Sequence, residues 1–134
     1  ETSPPQAVQH GFATIRASIE AARKEIRPGA QGVNADAAAR AVLASAGFAE
    51  FPHGLGHQVG RMAHDGLALL GPPWEKYGKK PFVPLEEGMV FTIEPRLTVP
   101  GHGVVTIEEM VVVTASGAEY LSDPQTELHV LPGW

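Results

Sequence analysis

The 134-residue chain contains no cysteine. That excludes disulfide frameworks, thiolate zinc sites and cysteine nucleophiles, and leaves histidine and carboxylates as the metal ligands on offer. No apolar run approaches the ~18 residues of a membrane-spanning helix, and the start of the chain lacks the basic segment and apolar stretch of a signal peptide. No membrane role is expected, and the expected setting is cytoplasmic. Positive charge is scarce too: 10 Lys and Arg stand against 15 Asp and Glu, a net charge of −5. The one basic cluster, Lys76 to Lys80, is interrupted by Tyr77 and Gly78, so nucleic acid is not an expected partner. What is present is 43% hydrophobic, with 15 Gly and 12 Pro. This is the composition of one turn-rich α/β or α+β domain.

Apolar residues at Val8, Phe12, Ile15, Ile19, Ala22 and Ile26 alternate spacings of four and three, the stripe of a helix lying on a core. Ser3 or Thr2 is the expected cap, Pro4 and Pro5 suit the first turn, and Pro28-Gly29 ends the helix. Gly11 is its one weak point. A second, Ala-rich helix is expected from about Asn34 to Ala46, with Asp36 near its start and Gly47 as its C-cap. Beyond Phe48 short apolar segments broken by Gly and Pro read as strands. One strand spans Gly88 to Glu94 and stops at Pro95; a longer β-branched one spans Val104 to Thr114; a third, near Glu119 to Leu121, forms a hairpin with it across Ser116-Gly117.

Phe51 to Gly66 holds three of the six histidines. His53 and His57 have HxxxH spacing, but Gly54 and Gly56 oppose the helix a zincin needs and no Glu follows the first His. A loop leading into a strand that carries His57 fits better. Three hydrogen-bonded structural histidines are the plain alternative. Strand alternation places Glu94 with Thr92 and Val90, Glu108 with Thr106, Met110 and Val112, and Glu109 on the opposite face with Ile107, Val111 and Val113. A lone mid-strand Glu is ordinarily solvated. Two of them beside a His-rich loop suggest a divalent cation held by imidazole and carboxylate oxygens, a set that suits zinc, manganese, cobalt or iron rather than copper.

The segments His53-Gly54-Leu55-Gly56-His57, His64-Asp65, Glu87 through Pro95, and Gly103 through Thr114 resemble, in order, the signatures of the pita-bread metallopeptidases. That superfamily includes methionine aminopeptidases, aminopeptidase P, prolidase and bacterial Xaa-Pro dipeptidases. The arrangement of His53, His57 and His64 is most similar to the Xaa-Pro dipeptidases and aminopeptidase P. Retention of His57, Glu94 and Glu108 argues against the creatinase-like branch that dispenses with metal. The resemblance implies an α+β pita-bread fold, its C-terminal portion being two helices followed by an antiparallel sheet. It also implies a site with two divalent metal ions, Mn first and Zn or Co as alternatives. His57 and Glu94 would bind metal, Glu108 would bridge both ions, and Glu94 would also take a proton from the attacking water. His53 and His64 would be unligated catalytic histidines, with Asp65 orienting a neighbour. The implied substrate is an Xaa-Pro peptide.

The family's site also needs two aspartates on an upstream β-hairpin, and Asp36, Asp65 and Asp123 do not form that pair. Residues 1–134 are therefore expected to be the C-terminal part of a single catalytic domain. A companion chain or upstream segment would complete it, and homo-oligomerisation is expected. Thr106 stands where many Xaa-Pro peptidases carry Arg, and Arg96 where Gly is usual. The competing reading is a non-catalytic interaction module that keeps the scaffold. Trp74 and Tyr77, in the Pro-rich loop Gly71 to Pro84, are expected to pack or to line the pocket.

Overall fold

A computed structural model describes residues 3–131. Helix α1 spans Gln6–Glu25 and helix α2 spans Gly32–Ser45. The predicted stripe is the buried face of α1: Phe12, Ile15, Ile19 and Ala22 are buried, with Ile26 directly after the last turn. The predicted cap is not used. Pro5 occupies the N-cap position with no side-chain hydrogen bond, and a cap at Thr2 lies outside the described residues. Pro5 has no N–H to satisfy and a fixed φ, so it starts the helix without help. Helix α2 begins two residues earlier than predicted and stops ahead of Gly47, whose φ is +84°.

Gly11 proves to be a docking point. A Cβ there would stand 2.9 Å from Val99 Cγ2 and 3.2 Å from Leu97 Cδ1, so the missing side chain lets a strand lie directly on α1. The helices pack on each other through small residues, with Ser18 Oγ donating to the Ala39 carbonyl at 3.2 Å.

Five antiparallel strands form the main sheet in the order β2-β1-β3-β6-β7, with β1 at Gly56–Val59, β2 at Leu69–Leu70, β3 at Val90–Ile93, β6 at Glu109–Thr114 and β7 at Gly117–Tyr120. Strands β4 (Arg96–Val99) and β5 (Gly103–Thr106) form a separate two-stranded sheet. The predicted strand from Val104 to Thr114 is thus two strands in two sheets, joined at Ile107 and Glu108. Pro95 supplies the reason. It cannot donate to a ladder, so β3 cannot run on into β4 beside a continuous partner, and Thr106 Oγ1 donates to the Pro95 carbonyl at 2.9 Å instead.

Phe91, Ile93, Val111, Val113 and Ala118 bury one face of the main sheet against the helices. Glu109 shares that inward face and is only 6% exposed, its Oε1 accepting the Gln125 N–H at 2.9 Å. The predicted facing of Glu108 and Glu109 is therefore the observed one. Nearby, Tyr120 donates to Glu20 Oε2 at 3.1 Å, and Glu20 is held below its usual carboxylate range chiefly by Arg23. Burial, then the adjacent Glu20 charge, pushes the Tyr120 phenol up to about 12. The folded state keeps this proton longer than the unfolded chain, so stability from Tyr120 is complete below pH 10.0 and lost on the way to about 12. Tyr120→Phe should cost about 1 kcal/mol at neutral pH for the lost hydrogen bond. That gap should close across the alkaline window, as urea midpoints measured against pH would record.

Candidate metal centre

The open face of the sheet carries the polar cluster. His57 lies on β1, one of the middle strands, and its N–H is taken by Thr92 Oγ1 at 3.0 Å on the neighbouring β3. Gly56 permits that closeness: a Cβ there would lie 1.8 Å from the Thr92 carbonyl oxygen. Glu94 follows β3 directly and its N–H donates to the Leu55 carbonyl at 2.7 Å. Glu108 occupies the joint between β5 and β6. Both glutamates therefore stand where the chain leaves one sheet for the other, not inside a strand as the sequence pattern suggested.

His57, Glu94 and Glu108 each offer a ligand atom, all within 4.8 Å of one another, and this is the one such group of three or more potential ligands found among the described residues. His57 Nε2 lies 3.5 Å from Glu94 Oε2. His57 Nδ1 sits 3.3 Å from the Gln58 carbonyl. A proton on Nδ1 satisfies that carbonyl and leaves the Nε2 lone pair facing the carboxylates, the arrangement a metal-binding imidazole adopts. One neutral imidazole and two carboxylates suit a hard or borderline divalent cation. The donor set thus fits the group the sequence implied.

His64 joins the cluster, its ring stacked on that of His57 with centroids 3.9 Å apart. Asp65 shapes the turn that carries it: Oδ2 accepts the Arg61 N–H at 2.9 Å and the Asp65 N–H donates to the Gln58 carbonyl at 3.1 Å. His57, His64, Glu94 and Glu108, together with Val59, Ala63, Thr92 and Met110, line a cleft of about 330 Å³. His53 is not among its lining residues. Its ring lies against Phe51, centroids 5.0 Å apart, with Nδ1 2.7 Å from the Gly54 carbonyl. A larger hollow of about 470 Å³ beside α2 is lined mainly by Ala37, Ala41, Leu43, Ala44 and Phe48. Apart from Arg40 and Glu50 it has no charged group, so the smaller cleft is where chemistry converges.

Arg96 and Thr106, two of the departures noted in the sequence, are cross-strand partners at the start of the β4–β5 ladder. Sequence reasoning missed Thr92, whose hydroxyl sets the His57 backbone, and missed the pair Asp36 and Arg40. The latter had a signal: opposite charges four apart on an otherwise Ala-rich helix.

One imidazole and two carboxylates thus converge on the open face of a helix-backed antiparallel sheet, in an arrangement that could hold a divalent cation. The model for metallopeptidase family M24 matches residues 2–115, and the chain belongs to that family. Probable dipeptidase PepE of Mycobacterium tuberculosis is 37% identical over 130 residues, covering 96% of this chain and 32% of that protein. The Xaa-Pro dipeptidase of Pyrococcus horikoshii is 34% identical over 114 residues, covering 82% and 30%. The crystal structure of X-Pro aminopeptidase from Thermotoga maritima superposes with a TM-score of 0.82 at 29% identity, covering 96% of this chain and 35% of that one. The fold is therefore the pita-bread fold expected from the sequence. The chain spans about a third of the length of the curated relatives it matches.

Proposed function

We propose that residues 1–134 form the C-terminal part of one catalytic domain that hydrolyses Xaa-Pro bonds in dipeptides or at peptide N-termini. The observation that carries this is the convergence of His57, Glu94 and Glu108 within 4.8 Å. The names of relatives such as the Xaa-Pro dipeptidase support the substrate class. His57 and Glu94 would hold one divalent ion, with Glu108 bridging to a second whose remaining carboxylate ligands come from an upstream segment or companion chain. Mn is the first choice and Zn or Co the alternatives. When bound, such ions acidify water and polarise the scissile carbonyl.

The chain's own residues do the rest. Glu94 accepts a proton from the attacking water and returns it to the departing proline nitrogen. His64, stacked on His57 at the cleft wall, donates to the carbonyl oxygen as charge builds on it. His53 is assigned to the substrate from outside the cleft lining, reached once the peptide spans the rim.

The test is an assay of Ala-Pro against Ala-Ala with the upstream segment present. Expected is cleavage of Ala-Pro alone, lost on chelation and restored by Mn2+. Cation binding without cleavage would instead make this a non-catalytic module on the same scaffold. Native mass spectrometry of the sample reports the companion segment and the number of copies.

A further inference from the structure

The stretch from Phe51 to Leu55 has no helix or strand, yet side chains from two other elements take up its backbone polar groups. Arg40 on α2 donates from Nη1 to the Phe51 carbonyl at 3.0 Å and from Nη2 to the His53 carbonyl. One turn earlier, Asp36 Oδ1 accepts the Leu55 N–H at 3.1 Å, while its two oxygens hold Arg40 Nε at 2.6 Å and Nη2 at 3.2 Å. From the far side, the Tyr77 hydroxyl accepts the Gly54 N–H at 2.8 Å. The Leu55 carbonyl accepts the Glu94 N–H at 2.7 Å. Leu55 thus ties Asp36 on one side to Glu94 on the other, and His57 lies two residues further on.

Such an arrangement is expensive. The Asp36 side chain is 2% exposed and that of Arg40 13%. Burial pushes the Asp36 carboxyl up, against the pull of Arg40 and of the Leu55 N–H. Removing two charges from water costs several kcal/mol per ion, and apolar residues of similar volume often stabilise as well or better. Geometry is what the pair gives in return. The guanidinium lies 4.0 Å from the Phe51 ring centroid and 5.0 Å from that of Trp74, so its plane is fixed as well as its charge. Arg40 Nη1 also meets the exposed Glu50 Oε1 at 3.1 Å, and a lysine, which offers a point charge, cannot serve two carboxylates and two carbonyls at once.

We infer that Asp36, Arg40 and Tyr77 form a positioning clamp that sets where His53 and His57 stand relative to Glu94 and Glu108. Its catalytic meaning rests on the metallopeptidase reading above, while the clamp itself is a property of the chain. None of the three touches a metal or substrate; each acts through the backbone of the histidine segment.

The test compares the full chain with Arg40→Lys, Asp36→Asn and Tyr77→Phe, and with Leu43→Ala, a buried core truncation on the same helix that leaves the clamp intact. Two readouts are taken: the affinity for Co2+ alone, and the side-chain NMR resonances of His53 and His57 with amide exchange at Leu55. Clamp variants should lose about tenfold in Co2+ affinity, shift both histidines and exchange faster at Leu55. Leu43→Ala should lower thermal stability and leave all three readings at wild-type values. Tyr77→Phe removes one hydroxyl and keeps the ring, so it decides the matter where a charge variant does not fold. Histidine shifts and Leu55 exchange unchanged in the folded clamp variants, or an equal response in Leu43→Ala, would overturn the clamp. A wild-type chain that binds no Co2+ would count against the metal reading alone, with the histidine spectra still deciding the clamp.

Discussion

Gly56→Ala should be among the most damaging single-methyl additions this chain can receive. The new Cβ would meet the Thr92 carbonyl oxygen at 1.8 Å and its carbon at 2.6 Å, and these are backbone atoms that no rotamer change can move. β1 cannot retreat freely, because Gly56 also pairs with Leu70 on its other side. Relief requires β1 and β3 to part, at a cost of about 3 kcal/mol by the usual scale for overpacking. The same parting breaks the hydrogen bond from His57 N–H to Thr92 and carries the imidazole away from Glu94. Stability and cation affinity should therefore fall together. Gly117→Ala is the control: nothing lies within 4 Å of a Cβ there, and both quantities should stay near wild type. Chemical denaturation and Mn2+ titration of the two variants check this.

Adjacent glutamates should give opposite phenotypes. Glu108 is exposed and is one of the three residues proposed to hold the cation, so Glu108→Ala should leave the denaturation midpoint almost unmoved. Divalent-cation affinity should fall by more than the ~10–100-fold that loss of an outer-shell partner costs, and Xaa-Pro hydrolysis by the completed domain should cease. Glu109 faces inward and caps the Gln125 N–H. Glu109→Ala should cost about 1–3 kcal/mol of stability by leaving that donor unpaired. Cation affinity should survive. Titration calorimetry and urea denaturation on both variants separate the roles, and equal losses of affinity would show that the two side chains do not divide the faces as described.

Much of this layout was legible in the sequence because it repeats locally. The stripe from Phe12 to Ile26 needs only helical periodicity, and the opposed facing of Glu108 and Glu109 needs only strand alternation. The break between β5 and β6 was not legible, since Val104 to Thr114 is an unbroken β-branched run and its interruption comes from Pro95, remote in sequence but beside it in space. Ser3 was read as a cap by residue type, although Pro5 needs none. Gly11 looked like a defect because helix propensity says nothing of a strand lying across it. His57, His64, Glu94 and Glu108 line one cleft and His53, expected beside them, does not, whereas Asp36 was assigned to a helix start that lies four residues before it, when its side chain instead holds Arg40 and the Leu55 N–H.

Glu94 and Glu108 sit at the feet of the two legs of the β4–β5 hairpin, and α1 bears on that hairpin through Gly11, Val99 and Leu97. The hairpin is thus a caliper with the carboxylates at its jaws and a helix as its stop. The spacing of the two glutamates is therefore bound up with how closely α1 and the hairpin approach at Gly11, the point where an added methyl would press on Val99.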